Sequence, residues 1–380
     1  MDNLKRSNKP IDRHQKIKNH PIKRQGRVSR LWHRYKRLRL WHKIVVTLAA
    51  LVIFVILLFY ASTLVDTLMP ATNNPEFGVS FSTEYAQELG LNWKNCLLAI
   101  MNDLHIKRYR FMTYWEQVEP QPGVYNYSDV DWQMNQAVAH NYKVSLAIGL
   151  RQPRWPECHQ PQWAAALQTS NPNLWQQDLL TYITNTVDRY KNNPALQSWQ
   201  LENESQNTWF GDCIDHDRSR IIEEFNLIKK LDPNHPVYMS LSDETGIPIG
   251  QPTPDAYGFS IYRIVWNDKS PFHFYITYPT PLWFTRLRAL YIRVFKHRPS
   301  FIHELQMEPW GPKSTEDLTT QQQYQSMSPA QMKTNLLFAR KTGLTPIYMW
   351  GGEWWYYRLT IKHDPQPWNI IKQELIKFPN

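Results

Sequence analysis

Two glutamates a hundred positions apart, Glu204 and Glu304, each end a segment with the composition of a buried strand. The two segments are residues 198–204 and 299–304. A carboxylate at such a strand end is costly to desolvate, but it is well placed to react. Two carboxylates raised on separate strands of one barrel can cleave a glycosidic bond, because one transfers protons while the other attacks the anomeric carbon. This double displacement requires the two carboxyl groups to face each other at about 5–5.5 Å.

Strand and helix patterns alternate from residue 77 onward and would position these carboxylates. Eight short apolar strands are predicted, at residues 77–81, 108–112, 142–149, 198–203, 237–241, 256–261, 301–303 and 346–350. A helix or an insertion follows each strand, and we find no hairpin signal. The pattern therefore predicts an α/β fold, a closed parallel (β/α)8 or TIM barrel over residues 77–380. In such barrels the C-terminal strand ends carry the chemistry.

The positive charge of the chain is concentrated near its start. Residues 1–43 hold 15 Lys and Arg against two Asp, whereas the rest of the chain holds 28 basic and 31 acidic residues. The net charge of +10 therefore belongs to a basic tail and not to the predicted barrel. Because the tail precedes an apolar segment, membrane topology and anionic lipid explain it, and no nucleic-acid partner is expected.

The apolar segment at residues 44–65 contains no charged side chain. About 20 such residues cross a hydrocarbon core, and Trp41 and Tyr60 lie where aromatic rings favour the interface. A cleaved signal peptide is the competing interpretation, but its apolar region is usually only about 7–15 residues long and ends at an A-x-A-like site. The segment is therefore predicted to be an uncleaved, single-pass transmembrane signal anchor in contact with the lipid bilayer.

The charge asymmetry predicts that residues 1–43 are cytoplasmic and that the barrel is extracytoplasmic at the cell membrane. Residues 66–76 would form a short linker between the anchor and the barrel.

Three cysteines, Cys96, Cys158 and Cys213, show no CxxC spacing, so a zinc cluster is not expected. An extracytoplasmic location permits disulfides. Cys158 and Cys213 fall in loops predicted to share one barrel face and could be bridged, while three separate thiols are the alternative. The acidic stretch at residues 212–217 matches no metal-binding loop and is interpreted as a solvated loop, so no metal site is predicted.

Four local patterns accompany the predicted strands and end in polar or aromatic residues. They are R-F-M-T-Y-W-E-Q-V-E-P at residues 110–120 followed by G-V-Y-N-Y at 123–127, W-Q-L-E-N-E at 199–204, D-A-Y-G-F-S-I-Y at 255–262, and R-P-S-F-I-H-E at 298–304. In this order they resemble the retaining (β/α)8 glycoside hydrolases of clan A, the cellulase-like superfamily. The resemblance covers most of the predicted barrel.

The resemblance implies a role for each of five residues. Glu204 would be the general acid/base, Asn203 a donor to the substrate's 2-hydroxyl, and Glu304 the nucleophile. Arg110 is expected beside Glu304, because a guanidinium keeps a neighbouring carboxylate ionised and an unpaired arginine in an apolar strand would be costly. Tyr262 is expected to donate a hydrogen bond to Glu304.

Two positions depart from the clan pattern. Gln306 replaces the glycine of the usual E-x-G, and Gln200 replaces the glutamate of the fourth strand. The first departure leaves Glu304 and Glu308 as candidate nucleophiles; the strand-end position favours Glu304, and Glu308 would then contact sugar hydroxyls from a loop. Glu202 has the same strand parity as the expected acid/base but lies deeper, where an ionised carboxylate needs a cationic partner.

The chain contains 17 tryptophans, and flat indoles suit the apolar C–H faces of sugars. Trp350, which ends the eighth strand, would form the floor on which a sugar ring rests. Further tryptophans are expected in strand-end loops, namely Trp155, Trp209, Trp310, Trp354 and Trp355. Arg151, Gln152 and Arg154 would pair either with an acidic sugar or with loop carboxylates, and the sequence does not decide between these.

These features predict a membrane-anchored glycoside hydrolase that cleaves O-glycosidic bonds of a β-linked glycan with retention of configuration. Its substrate would be an oligo- or polysaccharide, and the reaction requires no cofactor. Three alternatives stay open: a transglycosylase that remodels envelope glycan, a carbohydrate-binding protein built on an inactive barrel, and a scaffold that uses the barrel only to bind an envelope protein.

Overall fold

A computed structural model describes residues 32, 35, 36, 39–68, 70–72, 74–205, 207, 208, 210–242, 246–250, 252–268, 271 and 273–378. Most of the predicted basic tail, and also Trp209, lie outside the described residues. The chain divides into two compact units, Met1–Ala61 and Ser62–Asn380.

The first long helix, α1, runs from Leu40 to Leu68. Its stretch Leu40–Val65 is long enough and apolar enough to cross a membrane. Large side chains such as Leu57 and Phe59 are exposed along it and are not packed in a core. It is therefore a candidate membrane span, and it includes the segment predicted at residues 44–65.

Among its described residues the second unit has ten strands: β1 (Phe77–Phe81), β2 (Arg108–Met112), β3 (Lys143–Ile148), β4 (Leu196–Leu201), β5 (Val237–Leu241), β6 (Ala256–Ile261), β7 (Ile264–Asn267), β8 (Phe274–Thr277), β9 (Ser300–Gln306) and β10 (Ile347–Trp350). Eight of them close a barrel in the order β1-β10-β9-β6-β5-β4-β3-β2. Every pairing in the barrel is parallel. The predicted (β/α)8 barrel is therefore confirmed, with each of the eight predicted strands in place.

Helices surround the barrel and follow its strands: α2 (Thr83–Glu88), α3 (Trp93–Ala99), α4 (Trp115–Val118), α5 (Ser128–Ala139), α6 (Gln162–Ser170), α7 (Pro172–Tyr190), α8 (Arg218–Leu231), α9 (Leu282–Tyr291), α10 (Thr320–Met327), α11 (Pro329–Thr342), α12 (Gly352–Thr360) and α13 (Gln366–Lys377). Helices α3 and α9 continue as short π-helices, Ile100–Leu104 and Ile292–Lys296. A 3₁₀ turn forms at Thr315–Asp317.

Local sequence sets the ends of these helices. At α11 the Ser328 side chain accepts a hydrogen bond from the Gln331 N–H, and Pro329 occupies the first turn, where its missing N–H has no cost. The helix ends at Gly343, whose φ of 79° favours glycine. These signals are readable in the sequence and mark both ends of the helix that precedes β10.

One element contradicts the sequence prediction. Strands β7 and β8 form an antiparallel hairpin in which Ile264 pairs with Thr277 and Asn267 pairs with Phe274. The prediction of no hairpin was therefore wrong. Each strand has only four residues and neither is fully buried. The connection is longer than the two-residue turn that gives a recognisable hairpin signal, so the sequence pattern is weak here.

Candidate active site

The C-terminal strand ends gather the residues that the sequence singled out. Arg110 lies in β2, Glu304 lies in β9, and Trp350 ends β10, while Glu204 and Tyr262 follow β4 and β6 directly. All five therefore face one end of the barrel, because the parallel strands end together there.

Arg110 joins two of these strand ends. Its guanidinium is fully buried, and it donates from Nη1 to Glu304 Oε1 at 2.7 Å and from Nη2 to Asn203 Oδ1 at 2.8 Å. Its Nε donates to Gln200 Oε1 at 2.5 Å. One rigid cation therefore fixes the carboxylate of β9 relative to the end of β4.

Glu304 is held through both of its oxygens. Tyr262 donates its hydroxyl to Glu304 Oε2 at 2.7 Å, while Arg110 holds Oε1. Burial, followed by the negative charges of Glu304 and Glu204, raises the pKa of Tyr262 well above its ordinary value. Tyr262 therefore keeps its proton and remains a hydrogen-bond donor.

Glu204 stands on a strained turn at the end of β4. Its φ is 45°, and that of Glu202 is 54°. A non-glycine residue in this left-handed region costs of order 1–3 kcal/mol and is held there only by surrounding structure. The Glu204 N–H donates to Ser240 Oγ at 2.8 Å, and Glu204 Oε2 accepts from Asn207 Nδ2 at 2.9 Å. Glu204 is only 9% exposed, at the edge of a cavity of about 250 Å³.

A hydrogen-bond donor and a hydrogen-bond acceptor together orient the Asn203 amide. Its Oδ1 accepts from Arg110, and its Nδ2 donates to Glu157 Oε2 at 2.9 Å. Glu157 is nearly fully buried and also lies 3.5 Å from Arg151. Burial raises the pKa of Glu157 well above its ordinary value, and the charges of Glu204 and Glu304 raise it further. Sequence analysis missed Glu157, since no pattern marked it.

The loop that carries Glu157 is tied down covalently. Cys158 and Cys213 form a disulfide that joins the loop after β3 to the loop after β4. The possible bridge is therefore present, while Cys96 is a buried free thiol. Arg151 Nε also donates to the Asn203 carbonyl at 2.9 Å. The disulfide and this hydrogen bond therefore hold the two loops together beside the site.

Glu202 has the cationic partner that an ionised carboxylate needs at a buried position in the barrel. Arg220 donates from Nη1 to Glu202 Oε1 at 2.9 Å, and it also pairs with Glu224. The backbone N–H groups of Leu150 and Arg151 donate to the two oxygens of Glu202. Glu202 is therefore held in a buried structural network below the site.

The face of Trp350 is covered. The guanidinium carbon of Arg154 lies 4.2 Å from the centre of the Trp350 ring and 3.5 Å from that of Tyr85. Glu308 accepts two hydrogen bonds from Arg154, and Glu353 lies 3.7 Å away. Arg154 therefore pairs with Glu308, in the loop after β9, and with Glu353, in the first turn of α12. In this structure Trp350 is not an open floor for a sugar ring.

The remaining tryptophans divide into two groups. Trp310 contacts Tyr262 at 5.4 Å and Phe210 at 5.0 Å between ring centres, and the exposed Trp155 contacts Phe210 at 5.8 Å. These aromatic rings form a wall that leads away from Glu304. Trp354 and Trp355 were wrongly assigned to a loop: both lie in α12, are fully buried and pack in the core.

The two departures from the clan pattern have structural reasons. Gln200 accepts a hydrogen bond from Arg110, so it supports the same guanidinium that binds Glu304. Gln306 accepts from the N–H groups of Arg263 and Ile264 and so fixes the start of the β7–β8 hairpin. A glycine could not make these bonds.

The fold and this set of residues define a (β/α)8 barrel of the glycoside hydrolase class. Residues 92–235 match the model of the Glyco_hydro_42 family, described as beta-galactosidase. The matched stretch contains Arg110 and Glu204 but ends before Glu304. No curated protein sequence matches the chain.

Several solved structures have a similar fold. An exo-beta-1,4-mannosidase from Opitutaceae bacterium strain TAV5 is 17% identical with a TM-score of 0.51, and the match covers 74% of this chain and 52% of the mannosidase. The chain thus spans about half the length of that protein. Endo-glycoceramidase II from Rhodococcus sp., in its lactosyl-enzyme form, is 16% identical with a TM-score of 0.49, and 73% of each chain is covered. The family match and the barrel confirm the predicted resemblance to clan A glycoside hydrolases.

Proposed function

We propose that the chain is a retaining glycoside hydrolase that cleaves a β-linked glycan outside the cytoplasmic membrane. The observation that carries the proposal is the single guanidinium of Arg110, which binds both Glu304 and the residue next to Glu204. An arrangement of this kind holds a nucleophile and an acid/base in fixed relation, as double displacement requires.

In the proposed first step, a carboxylate oxygen of Glu304 forms a bond to the anomeric carbon. The bond from that carbon to the leaving oxygen breaks, and Glu204 gives its proton to that oxygen. In the second step Glu204 removes a proton from water, the water oxygen attacks the same carbon, and Glu304 is released. Arg110 and Tyr262 stabilise the carboxylate of Glu304 before attack and after release.

Asn203 contributes through its amide. One amide hydrogen binds Glu157, so the other is directed elsewhere and can reach the 2-hydroxyl of a sugar bound at Glu304. Hydrogen bonds to this hydroxyl strengthen in the transition state. Glu157 acts as a positioning residue, because it holds one amide hydrogen of Asn203 and so fixes the direction of the other.

The aromatic wall of Trp155, Phe210 and Trp310 supports a saccharide substrate that extends beyond the bond to be cleaved. Apolar sugar faces pack on such rings. A ring that stacked on Trp350 would have to displace Arg154 from Glu308, so the substrate must offer hydroxyls that replace this ion pair. Glu308 is well placed to accept hydrogen bonds from them.

The membrane location is proposed from α1 together with the disulfide. The span at residues 44–65 follows a basic tail, which favours a cytoplasmic N-terminus. The Cys158–Cys213 bond supports an oxidising compartment for the barrel. With residues 66–76 as the linker, the catalytic domain over 77–380 would be tethered close to the outer surface of the bilayer.

The proposal is tested with a panel of 2-deoxy-2-fluoro β-glycosides and intact-protein mass spectrometry. We expect one sugar to add covalently to Glu304, identified by peptide mapping, and Glu304→Gln to stay unlabelled. Product analysis with added acceptor sugars then distinguishes hydrolysis from transglycosylation. Binding of a glycan without labelling by any member of the panel, and without turnover of cell-wall polymers, would refute catalysis and favour the carbohydrate-binding alternative.

A further inference from the structure

The space around the Arg154 guanidinium, here called the cation pocket, has walls that suit a positive charge. Two aromatic rings and two carboxyl groups form these walls, namely those of Tyr85, Trp350, Glu308 and Glu353. The two carboxyl side chains are only 8% and 1% exposed. Aromatic faces and carboxylates both attract cations, and they do so most strongly where water is excluded. The pocket therefore favours a positively charged occupant.

Arg154 fills the cation pocket incompletely. Its two terminal nitrogens donate to Glu308, but its Nε is buried and has no hydrogen-bond partner among the described residues. In the same part of the chain, Oε2 of the fully buried Glu353 lacks a hydrogen-bond partner and lies 3.7 Å from the guanidinium. Because an unpaired buried polar atom is costly, a ligand with better placed donors can compete with the Arg154 side chain.

The cation pocket adjoins the proposed nucleophile. The guanidinium carbon of Arg110, which binds Glu304, lies 5.7 Å from the centre of the Trp350 ring. Tyr262, the other partner of Glu304, packs against the cluster of side chains that contains Trp350. A sugar ring whose anomeric carbon lies at Glu304 therefore meets the pocket, and it displaces Arg154 when it stacks on Trp350.

A neutral sugar can replace the hydrogen bonds of Arg154 but not its charge. Glu308 would then be a nearly buried carboxylate without a cation, and removing one partner of such a pair is strongly destabilising. An ammonium group on the sugar supplies the missing charge together with several N–H donors. Carboxylates and aromatic faces can bind this group at the same time.

We propose that the substrate is a β-linked glycan in which the sugar bound at Glu304 carries a free, protonated amine. This inference rests on the proposed glycosidase function. The amine takes the place of Arg154 beside Glu308 and Glu353. It is not the 2-amine, because the free amide hydrogen of Asn203 is directed at that position and a second donor there would face it. The amine is therefore at C3, C4 or C6 of the ring.

The test compares 4-nitrophenyl β-glycosides at pH 6, where a sugar amine is protonated. In the gluco, galacto and manno series, the panel contains the neutral glycoside, the variants with one amine at C3, C4 or C6, and the uronic acid. The 2-amino glycoside is the matched control for the substrate. The full chain in detergent micelles is assayed for kcat/KM, and binding of the corresponding methyl glycosides to Glu304→Gln is measured by calorimetry.

Two protein variants locate the amine. Glu308→Gln keeps the hydrogen-bonding capacity of the side chain but removes its charge. Glu374→Gln is the matched control, because Glu374 also lies 3.0 Å from an arginine, Arg340, and is 10% exposed, but it belongs to α13 and is not part of the cation pocket.

We expect an amine at C3, C4 or C6 to raise kcat/KM roughly 10- to 100-fold over the neutral glycoside, as for other hydrogen bonds to a charged group. The 2-amine should give no such gain. Glu308→Gln should abolish the gain, whereas Glu374→Gln should preserve it.

Several results would overturn the inference. Turnover of neutral glycosides through Glu304 without a gain from any amine would do so and leave the proposed function intact. Preference for the uronic acid would also overturn it, because Arg154 would then stay in place and bind the substrate. A gain that survives Glu308→Gln would place the amine outside the cation pocket. Glu308-dependent binding of the amino sugars without turnover of any glycoside would refute catalysis but support the pocket, and the absence of both would refute both.

Discussion

Glu353 gives the structure a measurable dependence of stability on pH. This carboxyl lies in the first turn of α12 and is fully buried. Its Oε1 accepts a hydrogen bond from the Ser82 N–H, and its Oε2 has no hydrogen-bond partner among the described residues. Burial, opposed by Arg154 and reinforced by Glu308, raises the pKa of Glu353 from 4.5 to about 7.

The sign and size of the effect follow from linkage. Between pH 4.5 and 7 the folded chain binds the Glu353 proton more tightly than the unfolded chain does, so the free energy of unfolding falls as the pH rises through this range. A rise of the pKa from 4.5 to about 7 corresponds to roughly 3 kcal/mol in total. Most of this is lost between pH 5 and pH 8.

Glu353→Gln isolates this contribution, because glutamine keeps an acceptor for the Ser82 N–H but does not titrate. We expect the difference in unfolding free energy between the wild type and this variant to fall by roughly 2–3 kcal/mol from pH 5 to pH 8. Urea unfolding followed by tryptophan fluorescence at several pH values measures it. Asp188→Asn, at a half-exposed carboxylate, is the control and should parallel the wild type. A difference that stays constant with pH would refute the reasoning.

Three further variants test the site and its support. Glu204→Ala is expected to lower kcat roughly 10²- to 10⁴-fold, and added azide should restore turnover, as measured with an activated aryl glycoside. Tyr262→Phe removes a charge-assisted hydrogen bond worth about 1.5–3 kcal/mol, so kcat should fall about 10- to 100-fold with little change in KM. Replacing Cys158 and Cys213 together by serine should lower the free energy of unfolding by about 4 kcal/mol in urea titrations, because the bond closes a long loop.

Each of these three expectations has a contrary result. Loss of activity in Glu204→Ala that azide does not restore would argue against its role as acid/base. Unchanged kcat in Tyr262→Phe would show that Arg110 alone positions Glu304. Unchanged stability of the double serine variant would mean that the two loops hold each other without the bond. Cys96→Ser, at a buried thiol outside the site, is the control for the loss of a cysteine side chain.

Periodicity and turn signals were sufficient to predict the barrel, because each of its strands is a short apolar run between clear breaks. Arg110 could be predicted for the same reason: an arginine inside the apolar segment of β2 needs an anionic partner, and Glu304 is that partner. The β7–β8 hairpin escaped prediction because its four-residue strands are half exposed and carry little pattern. The local sequence pattern therefore predicts elements that are regularly buried. It does not predict elements that are held in place by contacts between residues distant in the sequence.

The group around Arg154 shows why a family pattern is not enough to describe this site. Tyr85, Glu308 and the neighbouring pair Trp350 and Glu353 come from three different parts of the chain, and each has a commonplace interpretation by itself. Only the fold places all four around one guanidinium. Because that guanidinium lies on the ring of Trp350, the sugar floor implied by the resemblance is available only if Arg154 moves. On the proposed function, we therefore expect substrate selection to depend on how well a glycan replaces Arg154 as the partner of Glu308, which the strand patterns shared with clan A do not encode.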